Sequence, residues 1–170
     1  MVEVPFDVIV VGGGAAGLSA ALTLARARRR VLVIDAGLPR NRFSPHSHGV
    51  LGLDGEASSA LLERGRDEAA RFGTEFAAEE AAAARLADGL FFVTTASGHE
   101  FACRRLIVAT GVRDVLPEIP GLAEQWGTGV VVCPYCDGYE SRDRRIGVLA
   151  TSPRSVHQAQ LVRQWSSDLV

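Results

Sequence analysis

The pattern Gly12-x-Gly14-x-x-Gly17 constrains the start of this chain more tightly than any other feature, because of what flanks it. An apolar run ends at Val11 and a helix-forming stretch opens at about Gly14. The patterning predicts a strand over residues 7–11, a helix over 14–27 and a second strand over 31–34, which is a βαβ start. Gly12 permits the tight turn and Gly14 lets the backbone approach a pyrophosphate. Gly17 lets helix and strand pack closely, and the helix N-terminus favours the anion. Asp35, at the end of the second strand, can accept hydrogen bonds from an adenosine ribose. The glycines alone would describe only a packing turn, but strand, helix and acid together describe a dinucleotide-binding unit. The arginines at 26, 28, 29 and 30 stand near the helix end, where cations suit the dipole and stay solvated.

The chain has 170 residues, 47% of them hydrophobic, enough for one ordinary domain or one and a part. A net charge of -2 with acids and bases scattered excludes a nucleic-acid surface, although all 18 basic residues are arginine. Three cysteines are too few for a disulfide scaffold and suit a reducing, cytoplasmic setting. Residues 8–25 carry no charge, which invites a membrane span or a signal peptide. Four glycines interrupt them, however, and Glu3 and Asp7 precede them in place of a basic region. A buried strand, turn and helix account for the run, and no membrane association is expected.

Residues 36–55 hold proline, glycine, asparagine and two histidines without periodicity, a loop long enough to cover a ligand. A helix is expected over 58–72, ended by Gly73. Over 74–109 the signals turn to strands, with Asp88-Gly89 and Ser97-Gly98 as turn dipeptides. The alanine-rich stretch 77–87 has helix propensity, so a strand there depends on its neighbours. Pro117 and Pro120 mark a crossing between two units. A strand over 129–132 then leads into a cysteine pair. Another strand over 145–149, a helix over 153–165 and an apolar start at 168–170 suggest a second, incomplete βαβ unit.

The cysteine pair lies in Cys133-Pro134-Tyr135-Cys136-Asp137-Gly138. Two cysteines separated by two residues can close a small disulfide, with one thiol held reactive by a helix start or a nearby charge. The alternatives are half a zinc site or two inert core thiols. Zinc needs two more ligands, and Cys103 with His46, His48, His99 and His157 offers no recognisable second pair, so no metal is expected. Cys103, in an apolar stretch, reads as a small core residue. Asp137 reads equally as a proton relay to the leaving thiolate and as a cap or turn residue. His46 and His48 read as loop histidines. The letters CPYC also occur in glutaredoxins, but there they stand near the start of a small fold with no glycine fingerprint before them.

The Gly12 to Gly17 fingerprint with Asp35, the Ala109-Thr110-Gly111 strand end and the Cys133 to Gly138 motif together resemble the thioredoxin reductases and their flavoprotein relatives. The likeness runs over nearly the whole chain in one order. It implies an α/β fold: a Rossmann-like FAD-binding unit with a β-meander insertion over 1–112, followed over 113–170 by the start of a second Rossmann-like, NAD(P)-binding-like unit that carries the cysteines. It also implies that Cys136 is the thiol nearest the flavin ring, Cys133 the thiol that attacks or receives substrate, and Asp137 the acid-base group. Gly12, Gly14, Ala15, Ala16, Gly17, Asp35 and Ala36 would hold FAD, and Thr110 and Gly111 would close on it. The loop with Arg40, Asn41 and His48 would approach its flavin end.

Two departures from the family stand out. Where the family carries a second glycine fingerprint for NADPH, this chain reads Leu149-Ala150-Thr151-Ser152-Pro153-Arg154-Ser155. Side chains there would crowd a pyrophosphate and Pro153 lacks a backbone donor, so these residues argue against the NADPH that the resemblance allows. That loss matches a branch that oxidises small dithiols with oxygen as acceptor, as in gliotoxin and holomycin biosynthesis. The second departure is length, which leads us to expect a fragment that retains FAD weakly. The function expected is that of an FAD-dependent thiol-disulfide oxidoreductase. Its partners would be a thioredoxin-like protein or a small dithiol or disulfide, with a homodimer as the family's common assembly. The alternatives are a dithiol oxidase and a non-catalytic flavin- or nucleotide-binding fragment.

Overall fold

The computed structural model describes residues 5–170. Glu3, weighed above against a leader peptide, lies outside the described residues, as does the start of the 1–112 unit. The chain divides into two compact units, Met1–Arg42 with Ser58–Val115, and Phe43–Ala57 with Leu116–Val170. No helix among the described residues is long and apolar enough to cross a membrane.

The first unit is built on one six-stranded sheet. Its strands are β1 (Phe6–Val11), β2 (Val31–Ile34), β3 (Glu75–Ala77), β4 (Ala81–Ala87), β5 (Leu90–Thr95) and β6 (Glu100–Val108). They lie in the order β3-β2-β1-β6-β5-β4. The β3-β2-β1-β6 portion is parallel, with Val8 beside Val31 and Val10 beside Ile107, whereas β4, β5 and β6 form an antiparallel meander. Central parallel strands are covered on both faces and so read as continuous apolar runs. All four residues of β2 are buried, as are Phe6, Val8, Ile9 and Val10 of β1.

Helix α1 (Ala15–Arg26) covers one face, where Ala21 packs with Val8, Val10, Val31 and Val33. Helix α2 (Ser58–Arg71) adds Ala69 to the same cluster. On the other cluster Cys103 meets Ile9, Leu32, Ile34 and Val93 and is fully buried, so desolvation pushes its thiol up. Each of these large aliphatic side chains contributes roughly 1.5–3 kcal/mol by leaving water.

The alanine-rich stretch is strand at Ala77 and over Ala81–Ala87, with a break at 78–80, although alanine favours helix. A two-residue hairpin decides the matter: Asp88 (φ 50°) and Gly89 (φ 76°) both take the left-handed region, and Ala87 pairs with Leu90. Tertiary pairing outweighs a propensity difference of a few tenths of a kcal/mol per residue.

Past β3, Glu79 accepts hydrogen bonds from the Ser97 hydroxyl and lies 2.8 Å from His99 Nδ1. Ser97, then Thr95 and His99, hold its carboxyl down to about 2 from an ordinary 4.5. A depressed carboxyl stabilises the fold above its unfolded value, and that contribution disappears as pH falls through the folded one. Urea unfolding should therefore show wild type losing more stability than Glu79→Gln between pH 4.5 and about 2. Parallel losses in the two proteins would contradict this role.

The second unit holds the short helices α3 (Leu122–Gln125) and α4 (Pro134–Asp137) and the eight-residue α5 (Ser155–Val162). The strand expected over 129–132 is absent. Residues 125–130 instead close on themselves, with Gly127 N–H donating to Val130 and Val130 N–H to Gln125. Val130's groups are thus spent locally, and Val131 and Val132 pair with no strand among the described residues. The strand expected over 145–149 reduces to one parallel bridge, Ile146 with Leu169, supported by bonds from Ile146 N–H to Asp168 and Val148 N–H to Val170. The helix expected over 153–165 is shorter at both ends.

Candidate functional site

In the first unit the glycine turn is defined by what a side chain would strike. Gly12 (φ 107°) donates its N–H to Ile34, and a Cβ on it would stand 2.3 Å from the Ala109 carbonyl oxygen. The end of β6 therefore crosses directly against the fingerprint, bringing Thr110 beside it. A Cβ on Gly17 would stand 1.9 Å from the Gly12 carbonyl oxygen, so helix and turn touch backbone to backbone. A Cβ on Gly14 would meet nothing within 4 Å. Gly14 is also the N-cap of α1, with no side chain bonded to the first-turn N–H groups. The turn is thus closed on the protein side and open on the side an anion would approach.

Asp35 stands at the same place. A Cβ on Gly13 would lie 2.5 Å from Asp35 Oδ2, so the carboxylate lies over the turn. Arg66 of α2 donates to that same Oδ2 at 3.0 Å, and its guanidinium rests over the Phe76 ring at 4.8 Å. Asp35 Oδ1 has no partner among the described residues, and the side chain retains 18% exposure. These features fit the pyrophosphate and ribose of a dinucleotide such as FAD. Ala15, Ala16, Ala36, Thr110 and Gly111 are exposed around the turn. Arg40 is engaged elsewhere in the unit, with two bonds of 2.8 and 2.7 Å to Asp114. Asn41 is exposed in a short 3-10 turn.

In the second unit the cysteines lie on one helical turn. Pro134 opens α4 at its first position, where a missing N–H costs nothing, and Cys136 and Asp137 donate their N–H groups to the Cys133 carbonyl. That turn puts Cys136 Sγ 2.7 Å from Cys133 Sγ, both as free thiols. Donation to Cys133 is the largest cause, ahead of desolvation and the charges of Cys133 and Asp137, that pushes the Cys136 thiol up to about 11. Cys136 therefore keeps its proton at neutral pH and offers it to its neighbour. The helix turn rests on Trp165, whose ring meets Tyr135 edge-on at 5.5 Å. A Cβ on Gly138 would stand 2.9 Å from the same Trp165 ring, so that position too requires glycine.

Asp137 adjoins this pair. Burial is the larger cause, and the Glu140 charge the second, that raise its carboxyl above the ordinary range, while His48 pulls it down. His48 sits among acids, with Nδ1 3.6 Å from Asp54 Oδ1 and Nε2 3.8 Å from Glu140 Oε1. The histidine grouped with the flavin loop on sequence thus stands within the unit of the cysteines.

At the turn between residues 149 and 155 the Ser155 hydroxyl oxygen accepts N–H bonds from Thr151 (3.1 Å) and Ser152 (3.3 Å). Pro153 has no N–H to offer. Two backbone donors of this turn are thus bonded within the chain and a third is missing, unlike the open glycine turn of the first unit.

Sequence reasoning missed Gly13, Arg66, Glu140 and Trp165. Gly13 occupies a variable position of the fingerprint, and its constraint comes from a carboxylate distant in sequence. Arg66 looks like any solvated charge on an amphipathic helix.

Residues 6–160 match the model of the pyridine nucleotide-disulphide oxidoreductase family. The thioredoxin reductase tcpT of Claviceps purpurea is 40% identical over 151 residues, 86% of this chain and 47% of that protein. Among solved structures, that of HlmI is 50% identical with a TM-score of 0.92, covering 97% of this chain and 53% of the other. An oxidoreductase from Agrobacterium tumefaciens is 45% identical with a TM-score of 0.92, covering 96% and 56%. The chain spans 37–48% of the length of three curated relatives that it matches.

Proposed function

We infer, since the chain belongs to the pyridine nucleotide-disulphide oxidoreductase family, that it carries the flavin-binding turn and the redox dithiol of an FAD-dependent thiol-disulfide oxidoreductase. Over residues 1–112 we propose an FAD-binding domain, and over 113–170 the NAD(P)-binding-like portion that carries the dithiol. The observation that carries the reading is the juxtaposition of the two cysteine sulfurs, 2.7 Å apart on one helical turn, beside a carboxyl raised by burial.

Bound FAD would supply a two-electron acceptor and donor for the dithiol. The protein's own residues do the rest. Cys133, with a proton donor against its sulfur, is the thiol that exchanges with substrate. In the dithiol-oxidising direction the substrate dithiol leaves as its disulfide, and the enzyme pair is left as two thiols. Cys136 then closes on Cys133, the two sulfurs giving up two protons and the two electrons that bound FAD would accept, and Asp137 is the group that takes or returns a proton. Gly12, Gly14, Ala15, Ala16, Gly17, Asp35, Ala36, Thr110 and Gly111 hold the dinucleotide in this account. Arg40, Asn41 and His48 carry a lesser claim, since Arg40 is committed to Asp114. The thioredoxin reductase names of its relatives support a thioredoxin-like protein or a small dithiol as substrate. Three thiols fit a reducing cytoplasm, the compartment we propose, with a homodimer as the assembly.

One observation favours electron flow from dithiol to flavin. Ser155 takes two backbone donors, Thr151 and Ser152, at the turn where NADPH would be held. With FAD loaded and oxygen removed, a small dithiol should bleach the visible flavin band, whereas NADPH alone should leave it. Bleaching by NADPH at a comparable rate would overturn the dithiol-oxidising direction and restore the reductase reading. The intact dithiol weighs against a non-catalytic binding fragment.

A further inference from the structure

We propose that Arg66 is a positioning residue for the adenosine ribose, setting how tightly the first unit holds its dinucleotide by fixing which oxygen of Asp35 faces the ligand. The proposal rests on the FAD reading above and deepens it.

An ionised carboxylate has two oxygens that accept hydrogen bonds equally, and a free side chain interchanges them by rotation. In this chain they are no longer equivalent. Oδ2 lies against Gly13, where a Cβ would be 2.5 Å away, and receives the Arg66 bond at 3.0 Å. Oδ1 has no protein partner among the described residues, although the side chain is four-fifths covered. Arg66 is itself fixed, since its guanidinium lies over Phe76, the middle residue of β3, at 4.8 Å. The chain of support runs from β3 through α2 to the end of β2: it holds Oδ2 against the glycine turn and leaves Oδ1 as the acceptor without a protein partner among the described residues.

Magnitude separates orientation from stability as the purpose of this arrangement. Arg66 keeps 40% exposure, and ion pairs of that exposure contribute little to folding. A hydrogen bond from a ribose hydroxyl to a correctly presented carboxylate contributes more, because one partner is charged. Losing the presentation should weaken binding by roughly tenfold to a hundredfold while the ligand-free protein melts almost unchanged.

A double-mutant cycle on FAD affinity, read by quenching of flavin fluorescence, tests this. Arg66→Leu should weaken FAD roughly tenfold or more. Arg66→Lys, which can still donate to Oδ2, should recover part of the loss. In the Asp35→Ala background Arg66→Leu should have almost no further effect, and the melting of all ligand-free variants should stay near wild type. Equal losses from Arg66→Leu with and without Asp35, or unchanged affinity in Arg66→Leu, would overturn the proposal while leaving the FAD site standing. Wild type that fails to bind FAD would overturn both.

Discussion

Cys133→Ser is expected to lower thiol-disulfide exchange by on the order of 10³-fold or more, the scale of losing an attacking nucleophile. Cys136→Ser should fail in a different way. With Cys136 present, Ellman's reagent should release two thiolates per cysteine pair, one as Cys133 attacks and a second as Cys136 displaces the mixed disulfide and closes the ring. Without Cys136 the reaction should stop at the mixed disulfide, with one thiolate released and the adduct retained on Cys133. The asymmetry follows from the pair's geometry: Cys136 Sγ lies 2.7 Å from Cys133 Sγ, and its thiol is pushed up to about 11, which suits it to resolving the mixed disulfide rather than to the first attack. Fully buried Cys103 should stay silent in the native protein and report only on unfolding. Peptide mapping of the adduct checks the assignment, and an adduct on Cys136 in the wild type under limiting reagent would reverse the roles.

Gly17→Val and Gly14→Ala should both abolish FAD binding, for opposite reasons. At Gly17 a Cβ would stand 1.9 Å from the Gly12 carbonyl oxygen, a backbone atom that cannot move aside without lifting α1 from the turn. The cost should be roughly 1–3 kcal/mol of stability as well as the cofactor site. At Gly14 the added methyl group meets nothing within 4 Å, and the backbone (φ -76°, ψ -178°) suits alanine. That variant should fold with only a small loss at the helix cap, yet place carbon where the pyrophosphate must lie. Melting curves with and without FAD distinguish the two. A Gly14→Ala protein that still gains stability from FAD would show that the pyrophosphate lies elsewhere.

The βαβ start was legible because local and long-range demands agree there. Buried parallel strands need continuous apolar runs, and the turn between them needs glycine at positions where backbone meets backbone. The alanine-rich β4 was legible only through its hairpin, since Asp88 and Gly89 impose a pairing that alanine would not choose. The valines at 130–132 misled for the converse reason: β propensity describes a side chain suited to a sheet, and no neighbouring strand receives them. Arg66 and Gly13 were illegible because their roles arise from a carboxylate brought over the turn by the fold. Ser155 belongs with them. Its missing glycine neighbours were visible in the sequence, but the hydroxyl bonded to the Thr151 and Ser152 N–H groups was not.

The most direct measurement of the central claim is the anaerobic visible spectrum of FAD-loaded wild type and Cys136→Ser under the same excess of a small dithiol. Bleaching of the flavin band in wild type, with an unchanged band in the variant, is the predicted result. Equal bleaching in both would mean that electrons reach the flavin without this cysteine pair, and the dithiol would then have no part in the chemistry.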